Sequence, residues 1–153
     1  MKDGFKITGR LVIDEWDVLP DGKHVWAGQT KQENLVTLAG RDLVRDLIID
    51  KTGDALSHFA VGTDVTAATA NDTTLGGEVF RAAFTTTTSS SAAIIYKYFL
   101  GASSANGNTL AEAGLLNAGA AGTLFARTIL ASTIIKTSAK AYTFTWTVNI
   151  NAT

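Results

Sequence analysis

The chain has no cysteine. That single absence excludes disulfide frameworks, thiolate metal sites and thiol nucleophiles together, and it fits assembly in a reducing cytoplasm. Proline occurs once, at Pro20. No apolar run approaches the roughly 18–20 residues that a membrane-spanning helix needs. The opening MKDGFKITGR carries no apolar stretch of the kind found in secretory signals. A formal net charge of -1 and a pI of about 6.1 leave no basic surplus of the kind that attracts nucleic acid.

Charge is scarce where most of the chain lies. Residues 1–58 hold 18 of the 27 Asp, Glu, Lys and Arg residues, and the other 95 residues hold 9. A soluble domain usually has about a quarter of its residues charged. Ala, Thr, Ser, Gly and Asn fill the remaining positions here. Depletion of charge is typical of interface cores, so one reading is a surface covered in an assembly. The other is a neutral, Thr-rich β surface with no partner.

Hydrophobic residues nevertheless make up 46% of the 153 residues, enough for one core in a single domain. Phe5 to Val18 and Lys23 to Gly28 read as a hairpin around the turn Pro20-Asp21-Gly22. Residues 31–50 carry the helix signal. Thr30 and Glu33 have capping-box spacing, Val36, Ala39, Leu43, Leu47 and Ile48 fall on one face, and Gly53 is a stop. The polar face mixes signs, which argues for packing on a sheet rather than on a membrane or nucleic acid.

From residue 57 onward the pattern is β. Phe59–Thr63 is a short apolar run, and 64–77 is a long polar loop. Glu78–Thr88 and Ala93–Leu100 are strands separated by a turn at Ser89-Ser90-Ser91. Asn106-Gly107 is a hairpin signal. Leu110–Asn117 fits helix or strand, and its flanking glycines favour strand. Thr123–Ser132 and Tyr142–Ile150 complete the set. In the last, Tyr142, Phe144, Trp146, Val148 and Ile150 alternate with Thr and Asn, giving one aromatic face. The expected fold is mainly β: a single-domain antiparallel sandwich or barrel with one amphipathic helix. Residues 1–30 form an N-terminal hairpin or arm, and 31–153 form the β domain including helix 31–50.

A search for chemistry finds little. His24 and His58 lack second ligands at metal spacing. Asp14, Glu15 and Asp17 do not follow a calcium-loop order. No glycine run precedes Lys-Ser/Thr or opens a helix as Gly-x-Gly-x-x-Gly, and no serine lies in Gly-x-Ser-x-Gly. No cofactor or metal is expected, and no enzymatic activity. Glu112 and Arg127 each interrupt an apolar strand, where a charge tends to be paired. They are candidate partners of each other, within one chain or between subunits, whose charge reversal at both sites would restore the pair, and Glu78 and Arg81 are a second candidate pair. Trp16 and Trp26 are candidates for an exposed platform, and Trp146 for the core or an interface.

The series Asn34-Leu35-Val36…Ala39-Gly40…Leu43…Leu47-Ile48, Ala60-Val61-Gly62-Thr63 and Asn71-Asp72-Thr73-Thr74-Leu75…Glu78-Val79…Arg81 resembles small structural proteins of tailed bacteriophages. Glu112-Ala113-Gly114-Leu115-Leu116-Asn117, Gly122-Thr123-Leu124-Phe125-Ala126-Arg127, Lys136-Thr137 and Thr145-Trp146-Thr147-Val148 continue it. The likeness covers roughly residues 33–150. It implies a virion structural role without catalysis, assembly in symmetric copies in the host cytoplasm, and partners that are copies of the chain and other virion proteins of the tail, neck or capsid, with neither nucleic acid nor membrane. A tail, collar or fibre-associated position and capsid decoration both fit, and the tail is the preferred reading. A carbohydrate-binding module is the further alternative. On this view residues 1–28 are an attachment arm whose removal leaves the domain folded.

Overall fold

A computed structural model describes residues 4–51 and 53–152. The elements run β1 (Phe5–Val18), β2 (His24–Val36), α1 (Leu38–Ile48), β3 (His58–Gly62), β4 (Glu78–Ala83), β5 (Thr86–Ser90), β6 (Ala93–Leu100), β7 (Thr109–Leu116), β8 (Leu124–Ile135) and β9 (Lys140–Ala152). The strands form one antiparallel sheet in the order β4-β3-β7-β8-β2-β1-β9-β6-β5. The molecule is thus mainly β with one helix, as its alternating pattern predicts.

The sheet curls until its two halves face each other. Phe59 of β3 meets Phe144 of β9 at 4.5 Å between ring centroids and stacks on Tyr98 of β6 at 5.0 Å. Phe84 packs on Tyr96 at 4.6 Å. Leu11, Ile13, Leu115, Phe125, Trp146 and Val148 fill the space between. Between β4 and β5 the chain steps from one sheet edge to the other. The Phe84 amide donates to Ser57 (3.1 Å) and the Thr85 amide to Lys97 (2.8 Å), so two residues span the gap between the edge strands.

The alternation in β9 sets this arrangement. Tyr142, Phe144, Trp146 and Val148 are buried, and Thr143, Thr145, Thr147 and Asn149 are half-exposed on the other face. Trp146 donates its Nε1–H to Asn34 Oδ1 at 2.7 Å. Asn34 reaches it across Gly9, where a Cβ would lie 1.9 Å from the same oxygen. A side chain at position 9 would displace the one polar partner of the buried indole.

Four expectations need correction. The helix does not begin at residue 31. β2 continues to Val36 because Lys31–Asn34 pair with Gly9–Val12 of β1, and ladder pairing outweighs the local Thr30–Glu33 signal. The cap is Thr37, whose Oγ1 accepts from the Gly40 amide at 2.9 Å. Gly40 then lets the helix lie directly on β8, for a Cβ there would be 2.3 Å from the Phe125 carbonyl oxygen. The stretch 78–88 is two strands rather than one, broken where the chain changes edges. Of the expected turn at 89–91, Ser89 and Ser90 belong to β5, and only Ser91, at φ 53°, turns. Asn106-Gly107 does not close a hairpin, because β6 and β7 lie in opposite halves of the sheet. It is a corner, with Gly107 at φ 82°.

The N-terminal residues form the expected hairpin, β1 with β2, but it is built into the sheet and does not project as an arm. β1 sits between β2 and β9 and pairs with β9 continuously from Phe5↔Ala152 to Asp17↔Lys140. Removing residues 1–28 therefore takes away the strand that joins the two halves and exposes the aromatic face of β9. The truncated chain is expected to lose cooperative thermal unfolding and its strand signal in circular dichroism. Native-like unfolding of that fragment would contradict this topology.

Candidate functional site

The charges that interrupt β7 and β8 meet beneath the long loop. Glu112 faces Gly62 of β3 across one ladder, and Arg127 faces Gly114 across the other. Glu112, Gly114 and Arg127 thus share the face of the sheet that points away from the main core. That face is not solvated. The loop between β3 and β4 lies over it, with Leu75 buried against Ala60, Leu116 and Leu124 in a second small core. Hence β7 is buried on both faces from Leu110 to Leu116, although a sheet with one wet face would alternate.

Glu112 is fully buried, at 0% exposure. Its Oε1 accepts from the Gly77 amide at 2.7 Å, and its Oε2 from the Gly76 amide at 3.1 Å and Arg127 Nε at 2.8 Å. Two successive amides converging on one carboxylate form a small anion-binding concavity. Glycines build it: a Cβ on Gly62 would lie 2.3 Å from Glu112 Oε1, and one on Gly76 1.9 Å from Asp64 Oδ2.

Arg127 uses its whole fork. Besides Glu112, Nη1 donates to Asp72 Oδ2 at 2.8 Å, and Nη2 donates to Asp64 Oδ2 at 3.0 Å and to the Thr66 carbonyl at 3.1 Å. The two aspartates also shape the loop. Asp64 Oδ1 accepts from the Thr66 amide and hydroxyl, and Asp72 accepts from the amide and hydroxyl of Thr69. Those Thr66 bonds, helped by Arg127, hold the Asp64 carboxyl below the ordinary range. Burial alone would raise Asp72, but the Thr69 bonds and Arg127 outweigh it and lower it. Burial likewise opposes the charge on Arg127, and its bonds to Asp72 and Glu112 prevail. The cluster is a clamp that ties a structureless loop to two strands through one planar cation, a task that suits arginine and not lysine.

The other candidates lie elsewhere. Glu78 and Arg81 pair at the start of β4 (2.8 and 2.6 Å), and Arg81 Nη1 also donates to the Ala118 and Ala121 carbonyls, closing the β7–β8 turn. Trp146 is in the core. Trp16 and Trp26 are directly opposed in the β1–β2 ladder. Trp16 donates to Thr143 Oγ1 at 3.1 Å, and Trp26, 57% exposed, to Asp14 Oδ1 at 3.3 Å. His24 stands edge-on to Phe99, and His58 is half-buried and bonded to Ser57 at 2.8 Å. Among the described residues, no group of three or more His, Cys, Asp or Glu side chains is placed to hold a metal ion.

Sequence reasoning missed two features. One is the pair Asp64 and Asp72, which as loop carboxylates look solvated until Arg127 is placed beneath them. The other is Lys136, buried at 0% exposure, whose Nζ donates to Asn106 Oδ1 and the Thr137 carbonyl, both at 2.9 Å. Its burial lowers its pKa, and no periodicity signals a lysine that folds back on its own corner.

No protein-family model matches the chain, and no curated protein and no solved structure matches it.

Two outcomes follow from the clamp. Arg127→Ala leaves Glu112 buried without its cation and is expected to destabilise the fold by about 3–5 kcal/mol, read from urea unfolding. The double reversal Glu112→Arg with Arg127→Glu fails to restore stability, because the Gly76 and Gly77 amides have no acceptor in a guanidinium. Full rescue would show that the amides matter little. The second concerns pH. Asp64 and Asp72 have depressed folded-state values, so their stabilisation is present above the unfolded carboxylate range and lost as pH falls through the folded values. Hydrogen exchange at the Thr66 and Thr69 amides, which donate to these two carboxylates, should, once corrected for its intrinsic pH dependence, stay protected until the pH falls below the ordinary carboxylate range. Loss of protection near pH 6 would contradict the assignment.

Proposed function

We propose that the chain is a non-enzymatic structural subunit of a tailed-phage virion, in a tail, collar or fibre-associated position, working through β-domain packing against copies of itself and other virion proteins. The observation that carries the reading is how the polar groups in its interior are used. Glu112 and Arg127, the charges most deeply placed among the strands, are engaged by loop amides, carboxylates and a carbonyl. They hold a shape rather than face a substrate. The resemblance of residues 33–150 to small phage structural proteins supports the same reading, as does the low charge of the C-terminal two-thirds. A neutral, Thr-rich surface buries area without desolvating many ions, and closed symmetry then yields rings or trimers. Assembly would take place in the host cytoplasm, with the finished protein in the virion. Capsid decoration is the alternative position.

One observation favours a different class. The Trp16–Trp26 pair places two indoles side by side on one hairpin, with Trp26 exposed, and sugars stack on such platforms. A carbohydrate-binding module would show quenching or shifting of tryptophan fluorescence on titration with glycans.

Cryo-electron microscopy of intact particles carrying the gene product decides the placement. Copies confined to tail or neck, in threes, sixes or twelves, are the expected result. Copies spread over the icosahedral shell would transfer the protein to the decoration class, and absence from particles would end the virion reading.

A further inference from the structure

The sheet has a seam. β8 pairs with β2 only at Leu35↔Arg127 and Val36↔Ala126. Beyond that, the Gln32 side chain stands in for the ladder, donating to Thr128 Oγ1 and the Ile129 carbonyl and accepting from the Ala131 amide. The two strands then part, and Gln29 and Thr30 face Ser132–Ile135 across an open groove of about 310 Å³. That volume lies at the lower end of the roughly 300–1,000 Å³ of small-molecule sites, and the mouths of curled sheets are among their usual places.

The strands behind the groove decide what lines it. β1 and β9 pair without a slip, so opposed residues share a face. On the inner face the pairs Leu11–Trp146 and Ile13–Phe144 are apolar and buried. The next two, Glu15–Tyr142 and Asp17–Lys140, are polar. The core face of the sheet thus turns polar at the end where the seam opens. Lys140 forms ion pairs with Glu15 Oε1 and Asp17 Oδ1, and Glu15 Oε2 has no partner among the described residues. Ile13 and Ile134, both buried, supply an apolar wall.

Tyr142 points to a ligand. It is 4% exposed, yet its hydroxyl bonds no described residue. That oxygen is not sealed off either, because Asn34 Nδ2 alone among the described buried side-chain atoms is both sealed and unbonded. The hydroxyl therefore opens on the groove that the residue lines. Burial, and after it the charge of Glu15, raises the Tyr142 pKa. The phenol keeps its proton and can donate as well as accept.

These groups select a chemical class. Two carboxylates stand against one ammonium, so the local charge disfavours an anion. Lys140 already holds the place that a cation would take between the carboxylates. A neutral molecule rich in hydroxyls meets both conditions. Its O–H groups satisfy the free carboxylate oxygen and the phenol, and its C–H face covers the apolar wall. We propose that the groove binds one neutral sugar unit, whose ring lies against Ile13 and Ile134 and whose hydroxyls bond Tyr142 and Glu15. The hydroxyls of Thr30 and Ser132 at the rim add adaptable partners. The site is separate from the Trp16–Trp26 pair. Those indoles reach Thr143 and Asp14, on the outer face of the same strands.

The inference goes beyond the structural-subunit reading and does not depend on it. The test titrates the full chain, isotopically labelled for nuclear magnetic resonance, with glucose, galactose, mannose and N-acetylglucosamine. At least one is expected to bind with a Kd of about 1 mM. It should shift the amides of Gln29, Thr30, Ser132 and Thr133 more than the indole N–H signals of Trp16 and Trp26. Tyr142→Phe keeps the ring and loses the hydroxyl, and it should weaken binding by about tenfold. Its thermal midpoint should not move, because no described residue bonds that hydroxyl. Glucuronate, an anionic sugar, should bind more weakly than the neutral ones. No shift with any of the four sugars, shifts centred on the two indoles, or full affinity in a folded Tyr142→Phe would each overturn the inference. So would glucuronate binding as tightly as the neutral sugars. Absence of the chain from particles would end the virion reading and leave this inference standing. A particle-bound chain whose groove takes no sugar would do the reverse.

Discussion

The fold depends on the pairing of its first strand with its last. β1 and β9 are hydrogen-bonded along almost their entire lengths and lie side by side within the nine-stranded order, between β2 and β6. Every other strand is attached, directly or through neighbours, to that pair. β2 and then β8, β7, β3 and β4 extend from one side, and β6 and β5 from the other. Contacts so distant in sequence carry a large loop-closure cost before they stabilise anything. The aromatic face of β9 offsets that cost, because Phe144 and Trp146 can be buried only once β1 and the β3–β7–β8 half are in place.

The second half of the sheet meets a different constraint. β3, β7 and the first part of β8 are buried on both faces, so the loop between β3 and β4 must cover the outer one. A loop of small polar residues has little apolar surface with which to do so, and Leu75 is its main anchor. Arg127 and Glu112 provide the rest. One planar cation and one carboxylate fix the loop, the cation through Asp64, Thr66 and Asp72 and the carboxylate through the Gly76 and Gly77 amides. This arrangement tolerates little variation, since removing either charge leaves the other buried, and the glycines under the carboxylate admit no side chain. It also explains why so sparse a set of charges is concentrated here.

The two ends of the sheet differ in the same way from the seam. At the outer edges the strands are short and polar or carry an ion pair. At the seam β2 and β8 part, and a groove takes the place of the ladder.

Periodicity made much of this legible. The two-residue alternation of Tyr142–Ile150 identifies a buried face, the apolar runs interrupted by Glu112 and Arg127 identify charges in need of partners, and the predominance of Thr and Gly identifies a β protein. Those features are local, and local chemistry is enough to read them. What the sequence could not reveal is where elements go when two local signals compete. Thr30 and Glu33 satisfy a capping box as well as any pair, yet the ladder with β1 holds them in a strand. Asn106-Gly107 would close a hairpin if its flanking strands were neighbours, and they are not. Asp64 and Asp72 become partners of Arg127 only because the loop folds back over the sheet. Residues and their spacing by themselves determine which faces are apolar and which charges need company. The curl of the sheet alone decides which faces meet, because that depends on contacts, such as Phe59 with Phe144 and Tyr98, between residues on strands far apart in the sequence.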